Sequence, residues 1–303
     1  MAPPLRLGTR GSPLALWQAN MVADALRAIH GLDPDAIEIV PIRTTGDQVQ
    51  DRALAEIGGK ALWTKELDRA LLAKEIDFAV HSMKDVETIR PPEIAIAAMP
   101  PRADTRDRLI GANSLAALPP DPRVGTSSPR RAAQVRRARP DAQILLFRGN
   151  VDTRLRKLAD GEADATLLAA AGLDRLGRGD IGTPLSELLP APAQGAIGIE
   201  ARADDSEMLG LLALIDHKPT SLCVDAERAL LAALGADCRS PVAALAQIQS
   251  GQIHLRAEIL TEDGGYYEPG EIIFPFQEKG APQALAHILL DRASPELRAL
   301  FAA

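Results

Sequence analysis

The chain has 303 residues, 34 Lys+Arg against 41 Asp+Glu for a formal charge of −7, 46% hydrophobic and 25% charged residues, values of a soluble globular protein long enough for two or three domains. No run approaches the roughly 18 apolar residues of a membrane span. The first residues, Met1-Ala2-Pro3-Pro4-Leu5-Arg6, lack the basic-then-apolar pattern of an export signal, and Cys223 and Cys238 alone make no disulfide framework, so a reducing cytoplasm is expected.

In chain order, a strand is predicted over 5–9, then a helix opened by Ser12-Pro13, running to about His30 and stopped by Gly31. A strand over 36–42 precedes a polar stretch, 43–59, whose length suits a lid or a disordered segment. Leu62, Leu67, Leu71 and Leu72 give a helix, and 76–80 a buried strand. The theme repeats as strand 123–125, helix 129–139, strand 143–147, helix 151–159 and strand 165–168, an alternation that argues for parallel sheets covered by helices. Pro/Gly-rich breaks at 91–102 and 189–195 bracket this block, so the chain is expected to leave a first α/β domain near 100 and rejoin it near 195 with a strand over 196–201. From Pro219 the pattern becomes a helix over 221–234, strands over 242–249, 253–260 and 271–276, and a helix over 282–292, a small α+β domain. The expected division is 1–100 with 195–217, 101–194, and 218–303, with a cleft between the first two.

Charge is unevenly placed. Residues 102–157 hold 13 basic and 5 acidic side chains, a balance of +8, while the other 247 residues carry −15; 27 of the 34 cations are Arg. Arg offers a planar fork suited to carboxylate or phosphate, so a small polyanionic ligand is expected. Phe147 is the lone aromatic of that segment, which leaves nucleic acid without a stacking platform. Arg10-Gly11-Ser12-Pro13 and Thr126-Ser127-Ser128-Pro129-Arg130-Arg131 both put hydroxyls and Arg where a strand turns into a helix. Each reads either as plain capping or as an anion site. Arg130 and Arg131 oppose the dipole of their helix, which calls for an anion, whereas Arg136, Arg137 and Arg139 suit its C-terminal end.

His81-Ser82-Met83-Lys84-Asp85-Val86 follows a buried strand, where an α/β sheet places ligand groups. Lys84-Asp85 reads as a charged-group holder with a proton-transfer carboxylate, or as a loop ion pair. Cys223 has Leu230 and Leu234 at helical spacing and reads as core. Cys238 lies in a turn beside Arg239 and reads as an accessible thiol, inert or activated. The five histidines are scattered, with no HxxxH or CxxC spacing, so no metal site is expected.

Five stretches then combine: Thr9-Arg10-Gly11-Ser12-Pro13-Leu14-Ala15; Gly58-Gly59-Lys60; His81-Ser82-Met83-Lys84-Asp85-Val86; Val124-Gly125-Thr126-Ser127-Ser128 with Arg130-Arg131; and Arg148-Gly149-Asn150-Val151. With Gln194-Gly195-Ala196 and the position of Cys238, the chain resembles the porphobilinogen deaminase (hydroxymethylbilane synthase) family along nearly its full length. The resemblance implies two type II periplasmic-binding-protein-like domains around a cleft plus a small C-terminal domain, and a dipyrromethane cofactor joined by thioether to Cys238. It implies condensation of four porphobilinogen molecules head to tail with loss of ammonia, hydrolytic release of the linear tetrapyrrole, and a monomer without nucleic-acid or membrane partners. By matched position, Arg10, Ser12, Lys60, Lys84, Ser128, Arg130, Arg131, Arg148, Arg154 and Arg175 hold cofactor and substrate carboxylates, and Asp85 is the catalytic carboxylate.

The chain departs from the family pattern at Glu56 (often Lys), Glu87 (commonly Pro), Pro129 (commonly Leu) and Ala236-Asp237 (usually Gly-Gly). Two other readings stay open at this stage: a non-catalytic binding protein of periplasmic type, which predicts an export signal, and a family member without activity.

Overall fold

Residues 3–44 and 64–301 are described by a computed structural model, which leaves the Gly58-Gly59-Lys60 motif, Glu56, Leu62 and most of the expected lid outside the described residues. Strand β1 (Leu5–Arg10) leads into the helix Pro13–His30. Ser12 caps that helix, its Oγ accepting from the Ala15 N–H at 3.3 Å, and Gly31 closes it in the left-handed conformation. Ala19, Val22, Ala23 and Leu26 form one buried face, packed with Leu7, Phe78 and Val80.

β2 (Ile37–Ile42), β3 (Phe78–Ser82), β4 (Ile94–Ala98) and β10 (Ile197–Arg202) complete a sheet of order β2-β1-β3-β10-β4. A second sheet, built from β5 (Asp107–Ile110), β6 (Arg123–Thr126), β7 (Gln143–Leu146), β8 (Ala165–Ala169) and β9 (Thr183–Leu185), has the order β7-β6-β8-β5-β9. In each, the first three strands are parallel and the fourth, β10 or β5, is antiparallel to both neighbours. Two successive sheets with this shared order make the type II periplasmic-binding-protein-like architecture.

The expectation of parallel sheets therefore needs correction: both are mixed. Compact units divide the described chain into 3–44, 64–103 and 195–221 on one side, and 104–194 and 222–301 on the other. β5 and β10 are the strands that follow the passages at 103/104 and 194/195, and each enters its sheet against the parallel strands. β4 lies inside the segment read as a break, and β5 and β9, of four and three residues, are too short to display a period. The short helices Ala170–Arg175 and Ser206–Ala213 were likewise not anticipated.

In the second unit, β11 (Val242–Gln249), β12 (Gln252–Leu260) and β13 (Tyr267–Pro275) form an antiparallel meander. It is packed with the helices Lys218–Ala233 and Ala281–Arg292 around Leu230, Leu255, Ile259, Phe274, Leu285 and Leu289. Cys223 and Leu234 belong to this core, as their spacing predicts. The meander also meets the helix Pro129–Ala138: Gln134 Nε2 donates to Glu258 at 2.6 Å, and the Arg137 guanidinium stacks over Tyr267 at 3.3 Å. Gly264, at φ +73°, brings the β12–β13 turn so close that an added Cβ would lie 2.5 Å from the Ala133 carbonyl oxygen. Gly264→Ala should therefore lower unfolding stability by about 2–4 kcal/mol, from left-handed strain plus overpacking. Urea unfolding checks this: a midpoint shift at unchanged slope is expected, and an unshifted midpoint would show that the turn does not bear on that helix.

Candidate active site

At the C-terminal end of β3 the chain makes a three-residue 3-10 turn, Met83–Asp85, immediately after Ser82. Asp85 is half-buried and lines a pocket with Arg10, Ser12, Gln18, Thr64, His81 and Ser82. β1 delivers Arg10, the cap of the following helix delivers Ser12, and that helix delivers the buried Gln18, whose Nε2 donates to Ser82 Oγ at 2.9 Å. Of the residues singled out in the sequence, Arg10, Ser12 and Asp85 thus share one pocket within the first unit. Lys84 stands beside Asp85 in the turn. Lys60 lies outside the described residues. Gln18, Thr64 and His81 were not singled out; His81 stood in a quoted motif, but its lining role has no local sequence signal.

The second unit holds Ser128, Arg130, Arg131, Arg148, Arg154 and Arg175. Ser128 Oγ caps the helix Pro129–Ala138, accepting from the Arg131 N–H at 3.4 Å. Here the capping alternative accounts for the hydroxyl, as it does for Ser12. The anion that Arg130 and Arg131 call for is in the chain itself. Arg130 Nη1 donates to Asp107 Oδ2 and Arg131 Nη2 to Asp107 Oδ1, both at 2.7 Å, with all three side chains buried. Gln194 Nε2 donates to the same carboxylate at 2.8 Å. The inference of a ligand from these first-turn cations needs that correction.

Asp107 does not exhaust them. Burial alone would raise its carboxyl, but the two guanidiniums outweigh it and hold the group well below the usual carboxylate range. The Arg130 guanidinium is nevertheless lowered, by burial first and by Arg131 beside it, even against Asp107. Two buried cations share one carboxylate, and the Nε atoms of both have no hydrogen-bond partner. Burial also draws the Arg175 guanidinium down to about 10, still charged at neutral pH. Arg148 is buried, and Arg154 spans Gly149 O at 2.9 Å and Ser127 Oγ at 3.2 Å. The C-terminal cations of the same helix act structurally, as predicted: Arg136 donates to Glu262 O and Arg139 to Leu115 O and Leu118 O.

Cys238 is exposed, in the turn between the helix Lys218–Ala233 and β11. Asp237 and Arg239, the charged residues on either side of Cys238, pair with each other at 2.6 Å and so largely neutralise one another's effect on the thiol.

A family model described as porphobilinogen deaminase, dipyromethane cofactor binding domain, matches residues 5–210, and one described as porphobilinogen deaminase, C-terminal domain, matches 221–281. The chain belongs to the porphobilinogen deaminase family. It is 60% identical to a porphobilinogen deaminase of Sphingopyxis alaskensis over 99% of this chain and 97% of that one. It is 50% identical to one of Paracoccus denitrificans over 92% and 90%. Among solved structures it is similar to the VFT2 domain of Bordetella pertussis BvgS, at 15% identity and TM-score 0.41 over 70% of this chain and 86% of that one. A periplasmic binding protein of Salmonella typhimurium with high arginine specificity is similar at 14% identity and TM-score 0.41, over 73% and 94%. The family's cofactor is a dipyrromethane, and its enzymes are hydroxymethylbilane synthases of tetrapyrrole biosynthesis. No helix among the described residues is long and apolar enough to cross a membrane, and no group of three or more His, Cys, Asp or Glu among them could hold a metal.

Removing the Asp107 charge should be costly. Asp107→Asn leaves two buried guanidiniums without their carboxylate, and a loss of about 3–5 kcal/mol at pH 7 is expected. Because the folded carboxyl lies below its unfolded value, its contribution is complete above about pH 4–5 and is withdrawn as pH falls further. Denaturant unfolding from pH 7 to pH 3 checks both points: the variant should start lower and lose less on acidification. Equal losses would remove Asp107 from the acid limb.

Proposed function

We propose that Asp85 is the catalytic carboxylate of a hydroxymethylbilane synthase reaction and that Cys238 carries the dipyrromethane by thioether. The observation that carries this reading is Asp85, half-buried at the end of β3 in one pocket with Arg10 and Ser12.

The donor set fits such a group. A thioether needs an accessible thiol, which Cys238 has. A dipyrromethane with an acetate and a propionate on each ring needs cations and hydroxyls, and Lys84, Ser128, Arg130 and Arg131 supply them. The unpartnered Nε atoms of Arg130 and Arg131 leave donor capacity after Asp107 is served. When bound, the group supplies the terminal pyrrole carbon onto which the first substrate is joined. Arg10, Ser12, Lys60, Arg148, Arg154 and Arg175 receive the carboxylates of porphobilinogen and the lengthening chain, with bidentate Arg contacts fixing ring orientation. Asp85 would offset the positive charge that develops when ammonia departs and would take up the proton that the attacking ring must lose. A half-buried carboxylate suits both tasks, because the partial exclusion of water strengthens its field.

The family's biosynthetic role supports a small-molecule substrate in the cytoplasm, the three separate sheets support domains at 1–100 with 195–217, 101–194 and 218–303, and the same reading takes the protein as a monomer. Against a purely binding role stands the membership of an enzyme family, which also gives Cys238 and Asp85 functions that a binding protein would leave idle.

Asp85→Asn is the direct experiment. It preserves shape and removes the charge, so turnover of porphobilinogen should fall by about three orders of magnitude or more while circular dichroism and thermal unfolding stay near wild type. A variant that retains near-normal rates would remove Asp85 from the centre of the reaction.

A further inference from the structure

We propose that Glu200, together with Arg90, is a positioning residue that pins both ends of the segment bearing Lys84 and Asp85 to strand β10. The proposal rests on Asp85 being the catalytic carboxylate, and it concerns what holds that carboxylate in place.

Glu200 is fully buried in β10, between Ile199 and Ala201. Its Oε2 lies 3.1 Å from His81 Nε2, four residues before Asp85. From the other side Arg90, five residues after Asp85, donates through Nε to Oε1 at 2.8 Å and through Nη2 to Oε2 at 2.9 Å. One carboxylate thus lies against both flanks of the turn, through two hydrogen bonds from Arg90 on one side and a close contact with His81 on the other. Burial would raise the Glu200 carboxyl, but His81 and Arg90 hold it down at about 2, so it is an anion at any working pH.

The middle of the segment is fixed to the same strand and to the residue just before it. Met83 N–H donates to Ala196 O at 3.1 Å, and the buried Met83 side chain covers Gly198. A Cβ built at Gly198 would sit 1.9 Å from Met83 Sδ, so any larger residue there would displace the Met83 side chain. Arg90 is held in turn by Asp68 at 2.5 Å and Glu87 at 2.6 Å, and Thr64 donates to Glu87 at 3.1 Å. Glu87 stands where the family commonly has Pro. A proline would stiffen the segment through its ring; here an ion pair two residues beyond Asp85 supplies restraint.

Glu200→Gln tests this. It keeps the shape but turns an amide toward either His81 or Arg90. The expected result is a fall in kcat of about 10- to 100-fold, as small displacements of a reacting group produce, with KM within about threefold. Hydrogen–deuterium exchange should quicken in peptides covering 81–90 and stay unchanged elsewhere. A kcat within about twofold of wild type, or exchange that quickens uniformly, would overturn the proposal. If Glu200→Gln does not yield folded protein, Arg90→Lys, which keeps the charge and loses the fork, is read by the same two measurements. Failure of Asp85→Asn to abolish turnover would strike the catalytic reading, whereas local exchange in 81–90 reports on the clamp itself.

Discussion

Asp107 is the carboxylate around which the cationic segment is organised. It sits at the first position of β5, buried, and takes hydrogen bonds from Arg130, Arg131 and Gln194. Without it, two guanidiniums in the first turn of the helix Pro129–Ala138 would face each other and the positive end of their own helix. With it, they are neutralised only in part and fixed in direction. A buried ion cluster of this kind contributes little net stability but is costly to break. Its effect is to hold the Arg130 and Arg131 side chains in one orientation, which is what the proposed carboxylate-binding role asks of them.

The first sheet repeats the device with other residues. Glu200 lies on β10, which occupies in its sheet the place that β5 occupies in the other: fourth in order and antiparallel to both neighbours. Each of these strands carries one buried carboxylate that takes Arg side chains from elsewhere in the unit, Arg90 on Glu200 and Arg130 with Arg131 on Asp107. A strand between two neighbours is among the most rigid parts of an α/β sheet, which makes it a sound base for groups that must not move. The loops that bear Lys84 and Asp85 can then be short.

Much of this was legible in the sequence, for reasons that differ by element. The helix Pro13–His30 was marked by Ser12, Pro13 and Gly31, and the structure uses all three as expected. The helix Val151–Ala159 and strand β11 fell at their predicted bounds. The antiparallel entry of β5 and β10 was not legible, because strand direction depends on where the chain crosses between units and not on local period. Arg130 and Arg131 were recognised as needing an anion, yet no local pattern tied them to Asp107, more than twenty residues earlier. Glu200 carried no local signal, because its partners His81 and Arg90 lie over a hundred residues away. Long-range pairing is what a single sequence conceals.

The central claim is that this chain is built around a covalently held primer, and the intact mass of the purified protein addresses it directly. The account predicts a wild-type mass above that of the bare chain by two pyrrole units, and a Cys238→Ser mass equal to its bare chain. A wild-type protein that consumes porphobilinogen while showing only the bare-chain mass would contradict it.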